Sequence, residues 1–166
     1  MKDTSSNDVA FVASSLRIGI VVSVYHSSVT KSLRDGALAA LSSVDIRGDD
    51  AVTVIDVPGA FEIPFAARRA AESGSFDAIV CLGCLIKGET PHFEYIASAV
   101  AHGVMAASQE TGLPITFGVL TTNSPAEAMT RAGQGASNKG WEAAIAAVQL
   151  VQIARKFRRK SEGASG

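Results

Sequence analysis

The chain has 166 residues, 47% hydrophobic and 19% charged, with a formal net charge of −1. Domains cluster near roughly 100 to 150 residues, so this length suits one well-formed core and is short for two. The balance excludes a disordered chain and a strongly basic nucleic-acid binder, and no nucleic acid is expected among its partners.

The opening MKDTSSNDVAFVASS has no basic n-region and only a broken apolar stretch, unlike a secretory signal. No run approaches the length of a membrane-spanning helix, so a cytoplasmic protein without a membrane partner is expected. Residues 1–15 are expected to form a flexible N-terminal arm, 16–160 a single domain and 161–166 a flexible tail.

Ile18 to Tyr25 (IGIVVSVY) is a β-branched run that predicts a strand, and Val29 to Leu41 carries Leu33, Ala37, Leu38 and Leu41 at helical spacing. Val52 to Val57 predicts a second strand. Phe61 to Ser73 predicts a second helix, with Pro64 in its first turn, where a missing N–H costs little. Ala78 to Ile86 predicts a third strand, continuously apolar as a strand covered on both faces would be. Its two cysteines, Cys81 and Cys84, form a CxxC that suits redox or metal chemistry in other settings. Residues three apart on a strand point to opposite faces, and no second pair exists, so small buried strand residues are the favoured reading.

A third helix is expected from Pro91 to Thr111, stopped by Gly112 and Pro114. A fourth strand follows at Ile115 to Thr121, then a short helix from Pro125 to Ala132. The glycine-rich break GQGASNKG separates it from a final helix over Lys139 to Arg159. Strands alternating with helices in this way predict a three-layer α/β/α sandwich: a doubly wound, parallel, four-stranded sheet of flavodoxin-like type.

Ligands of such sheets bind outside the carboxyl ends of the strands. That rule selects Tyr25-His26, Val57-Pro-Gly-Ala-Phe-Glu62, Lys87 to His92 and Thr121-Thr-Asn123. Thr90-Pro91 reads as an N-cap followed by proline at the first helical position, leaving leading N–H groups free for an anion such as phosphate. Gly88 would let the backbone approach that anion, although Glu89 beside it carries the wrong sign unless it points away.

His92 would then occupy the second helical position, where the helix dipole favours the neutral base and proton transfer. From position alone it reads equally as an exposed first-turn histidine. His102, mid-helix, reads as a solvated or packing residue, and His26 as a pocket-lining one. Phe61 and Glu62 suit stacking on a planar ring and binding hydroxyls, or equally a turn with Phe61 in the core and Glu62 at a helix start. Arg131 and Lys139 flank the glycine-rich break, and by themselves they read as solvated cations.

Four motifs stand together in order: VPGAFEIP (57–64), LGCLIKGETPHFEY (82–95), FGVLTTN (117–123) and RAGQGASNKGWEAA (131–144). In combination they resemble the lumazine synthase family, from about Arg17 to Leu150. The resemblance implies an enzyme that condenses 5-amino-6-(D-ribitylamino)uracil with 3,4-dihydroxy-2-butanone 4-phosphate. Its products are 6,7-dimethyl-8-ribityllumazine, phosphate and water, the penultimate step of riboflavin biosynthesis. No cofactor and no metal are implied. Neither is needed for an imine formation, a phosphate elimination and a ring closure that require proton transfers and oriented substrates.

Carried over by motif, His92 transfers protons, and Glu89, Thr90 and Arg131 hold the phosphate. Ala60, Phe61 and Glu62 bind the ribityl chain, and Cys84, Leu85 and Ile86 bind the pyrimidine through backbone groups. Phe117 contacts the ring from a neighbouring subunit, and Lys139 and Glu142 lie beside the site. The family supplies Phe117 and Arg131 from the adjacent chain, which implies a homo-oligomer, at least a pentamer. Its members with a short break, as here, form sixty-subunit shells.

One departure stands out, because the family's first strand usually ends Arg-Phe-Asn or Arg-Trp-Asn and this one ends Val24-Tyr25-His26. Tyr25 retains an aromatic face for the pyrimidine. The loss of the arginine and asparagine keeps two further readings open, a non-catalytic flavin- or lumazine-binding relative and a shell-forming protein. The tail RKFRRK (155–160) reads as a solvated helix end, favourable at the negative pole of its own dipole.

Overall fold

Four β-branched, apolar runs become strands: β1 (Ile18–Ser23), β2 (Val52–Val57), β3 (Ala78–Ile86) and β4 (Ile115–Thr122). Between and after them lie helices α1 (Ser27–Ser43), α2 (Ile63–Glu72), α3 (His92–Thr111), α4 (Pro125–Arg131) and α5 (Lys139–Gly163). The computed structural model describes residues 15–163, with side chains as far as Arg158. The expected arm, apart from Ser15, and the last half of the expected tail therefore lie outside the described residues.

The sheet is wholly parallel, in the order β2-β1-β3-β4. Ile18 pairs with Val52 on one side and with Ala78 on the other, and Ile79 pairs with Ile115. The chain leaves β1 in one direction to form β2, then returns past β1 to form β3 and β4. The winding therefore reverses between β1 and β3, and their carboxyl ends open a crevice there.

Side-chain alternation along the strands divides the core into two layers. Ile18, Ile20 and Val22 of β1 and Val80, Leu82 and Cys84 of β3 pack with Leu33, Ala37 and Leu41 of α1 and Ala144, Ala147 and Val148 of α5. Val21, Ile79, Cys81 and Val119 face the other way, against Ile63 and Ala67 of α2 and Val100 and Val104 of α3. Cys81 and Cys84 thus lie on opposite faces of one strand, both free and buried. Burial pushes their thiols up to about 12 and about 11, so neither is a thiolate nucleophile or ligand. Among the described residues no cluster could hold a metal ion.

Two glycines are explained by their setting, one by a close approach and one by its backbone conformation. A Cβ on Gly118 would lie 2.7 Å from Leu82 Cδ2 and 3.1 Å from Ala143 Cβ, so a larger residue would displace the Leu82 side chain and crowd α5. Gly112, at φ 70°, ends α3 in the left-handed conformation expected of a glycine stop.

The helix limits differ from expectation at several ends, by one to four residues. Ala60–Glu62 form a separate 3₁₀ turn, and α2 begins only at Ile63. Phe61 consequently leaves the core, 61% exposed. α3 begins at His92, one residue later than expected. α5 runs four residues past its expected end, because no glycine or proline interrupts residues 159–162.

Candidate active site

The crevice between the ends of β1 and β3 contains a cavity of about 520 Å3. Three of the four selected stretches contribute to it, and Thr121 to Asn123, at the end of β4, do not. Tyr25 and His26 come from the end of β1, and Gly59, Ala60, Phe61 and Glu62 follow β2. Cys84, Leu85, Ile86 and Gly88 come from the end of β3, and Thr90 and His92 from the start of α3. Ala60 and Cys84 are buried at 6% and 1% exposure and form part of a fixed floor. Tyr25 and Phe61, 67% and 61% exposed, are aromatic walls. A large exposed ring at a concave site offers contact area that the fold itself does not use.

The entrance to α3 corrects the expected cap. Pro91, not Thr90, occupies the capping position, and its carbonyl accepts the N–H of Glu94 at 3.0 Å and of Tyr95 at 3.4 Å. The first helical bonds therefore start one residue later than Thr-Pro suggested, and no side chain caps the end. His92 is the first helical residue rather than the second, exposed and facing the cavity. Glu89 is exposed but is not part of the cavity wall.

His26 precedes α1 at φ 56°, ψ 49°, a left-handed conformation in which asparagine, aspartate and histidine are the enriched non-glycine residues. The histidine therefore occupies a backbone geometry that asparagine also tolerates. Its ring meets Tyr25 edge-on, with centroids 4.6 Å apart and planes at 68°.

The remaining predicted residues do not join this cavity. Phe117, Arg131, Lys139 and Glu142 line a second hollow of about 430 Å3, which follows Thr116 to Thr121 along the free edge of β4 and over the start of α5. No residue lines both. Phe117 is 45% exposed on this edge strand. The cations are paired within one helical turn, Arg131 with Glu127 at 3.0 Å and Lys139 with Glu142 at 2.8 Å. Exposed pairs of this kind contribute little, so both cations can be recruited by a stronger anion at small cost.

Residues 15–155 match the family model for 6,7-dimethyl-8-ribityllumazine synthase. The chain belongs to this family. A protein of Syntrophus aciditrophicus (strain SB) named 6,7-dimethyl-8-ribityllumazine synthase is 46% identical over 146 residues, 88% of this chain and 94% of that one. The lumazine synthase resemblance and the doubly wound α/β sheet expected from the sequence are thereby borne out.

Phe93, Ile96 and Pro125 also line the first cavity and were not singled out as site residues. Asn138, in the break before α5, was not singled out either. An asparagine immediately before a predicted helix is a capping signal that would have marked it.

Proposed function

We propose that the protein condenses 5-amino-6-(D-ribitylamino)uracil with 3,4-dihydroxy-2-butanone 4-phosphate to give 6,7-dimethyl-8-ribityllumazine, phosphate and water. The carrying observation is that the family's site residues fall into two incomplete halves. One has aromatic walls, a carboxylate and His92, and the other has Phe117 and two exposed cations.

In this reading Tyr25 stacks on the pyrimidine, the backbone of Cys84, Leu85 and Ile86 binds its polar edge, and Ala60, Phe61 and Glu62 hold the ribityl chain. Thr90 and the adjoining Gly88-Glu89 backbone receive the phosphate, which Arg131 of a neighbouring subunit neutralises. His92, beside them, carries protons during imine formation and phosphate elimination. Phe117 from the neighbour closes the ring pocket, with Lys139 and Glu142 beside it. A homo-oligomer built by joining the two halves, a pentamer or a shell of pentamers, is the working assembly. Among the described residues no helix is long and apolar enough to cross a membrane, which fits a cytoplasmic enzyme.

The test mixes the purified protein with both substrates, without added metal or cofactor, and follows lumazine fluorescence while light scattering gives the assembly size. Product formed by a pentamer or larger particle is expected. Tight riboflavin binding without product would replace the enzyme by a flavin-binding relative, and active monomers would overturn the shared site.

A further inference from the structure

Asn138 lies between the two cations in the sequence, outside the lining of the β4 hollow, and is 2% exposed. Its side-chain nitrogen donates to three carbonyl oxygens, of Ser32 and Ala132 at 3.0 Å and of Gly133 at 2.7 Å. Its side-chain oxygen accepts the N–H of Gly140 at 2.7 Å and of Trp141 at 3.2 Å. The amide can point only this way, because turning it over would set its oxygen against three carbonyls. One side chain thus joins α1, the chain just past α4 and the first turn of α5.

The surroundings are cut to this amide. A Cβ on Gly36 of α1 would stand 2.4 Å from Asn138 Cγ and Oδ1. A Cβ on Gly140 would stand 2.0 Å from the Leu33 carbonyl oxygen and 3.0 Å from Asn138 Oδ1. Arg131 directly precedes Ala132, whose carbonyl the amide holds, and Lys139 directly follows Asn138. The segment between them contains Gly133 and Gly135, the latter at φ 85°, and has little stiffness of its own.

We infer that Asn138 is a positioning residue for the phosphate-bearing substrate, fixing Arg131 relative to Lys139 across the glycine-rich break. The inference rests on the proposed condensation. A buried amide with five partners is an expensive way to join three helices if only packing is at stake, since each lost partner leaves a buried polar group unpaired. Here it sets the separation of two cations whose own ion pairs are weak.

Asn138→Asp separates these effects. Aspartate keeps the oxygen that caps Gly140 and Trp141, but it loses all three donor bonds and repels the carbonyls that received them. The KM for the butanone phosphate should rise about tenfold, because modest misplacement of a binding group has large effects, while the KM for the pyrimidine stays within about twofold. In an Arg131→Lys background, which keeps a cation but not the guanidinium, the same change should raise the butanone-phosphate KM by far less than tenfold. A variant with both KM values normal and only less active protein per milligram overturns the inference. So does an equal rise in both values, or an undiminished effect in the Arg131→Lys background. Asn138→Ser, which keeps a capping oxygen and one donor, serves if the aspartate variant does not fold; failure of both to fold makes Asn138 a folding residue alone. A wild-type protein that forms no product refutes the condensation instead, an outcome distinct from all of these.

Discussion

His92→Ala and Arg131→Ala, each inactive by itself, should restore activity when mixed as subunits. His92 lines the cavity at the ends of β1 and β3, and Arg131 lines the hollow along the edge of β4, with no wall in common. If the working site joins one hollow to the neighbour's cavity, each interface needs an intact His92 from one chain and an intact Arg131 from the next. Random assembly of equal amounts brings both together at about a quarter of interfaces in a ring. Loss of a proton-transferring side chain slows turnover by roughly 100- to 10,000-fold. The parents therefore contribute almost nothing, and the mixture should reach about a quarter of the wild-type rate. The assay co-expresses differently tagged variants, isolates particles holding both tags, and measures lumazine formation per site. A rate no higher than the mean of the parents would mean that both residues serve a site within one chain, and the shared-interface reading would fall.

Three further outcomes follow from local structure. Burial holds the Cys81 and Cys84 thiols protonated up to about 12 and about 11, against an ordinary 9.0 in the unfolded chain. Above pH 9 the unfolded state binds fewer protons, so stability must fall as pH rises, by about 1.4 kcal/mol per pH unit for each thiol. Denaturant titrations between pH 8 and 10.5 should show the Cys81→Ala curve falling about half as steeply from this source; parallel curves would contradict the buried-thiol account. Ser124 caps α4 by accepting the Glu127 N–H at 3.1 Å, so Ser124→Ala should cost on the order of 1 kcal/mol in the same titration. His26→Val should cost roughly 1 to 2 kcal/mol, because a β-branched residue tolerates the left-handed conformation poorly, whereas His26→Asn should be nearly neutral.

Much of the fold was legible because local physics decided it. The uninterrupted apolar run of β3 announced a strand covered on both faces, and period-two alternation placed Cys81 and Cys84 in different layers. Other features depended on balances that a sequence does not display. Thr90-Pro91 carries every sign of a cap, yet the Pro91 carbonyl starts the helix. The second helix begins at Ile63 because Ala60–Glu62 tighten into a 3₁₀ turn, which turns Phe61 outward beside the cavity. The aromatic-and-carboxylate group at the end of β2 was readable as chemistry, but not its exposure.

Phe117 marks where reading from a single chain ends. β4 (ITFGVLTT) mixes threonines with apolar residues, and its pattern does not say whether Phe117 is covered. Strand order decides it: β4 pairs only with β3, so one edge stays open and the Phe117 ring is left 45% exposed beside Arg131 and Lys139. Tyr25 and Phe61, which line the other cavity, are more exposed still. Hydrophobic patterning reports what a chain buries against itself, whereas these rings stay exposed among the described residues. If the two halves meet between subunits, the same contact buries all three aromatics, excludes water around the reacting carbonyl and brings Arg131 to a phosphate held near His92. Assembly and catalysis would then share one cause, and a substitution such as Phe117→Ala should weaken both together, measurable as a smaller particle by light scattering with a matching loss of rate. Loss of rate in an intact particle would instead separate ring binding from assembly.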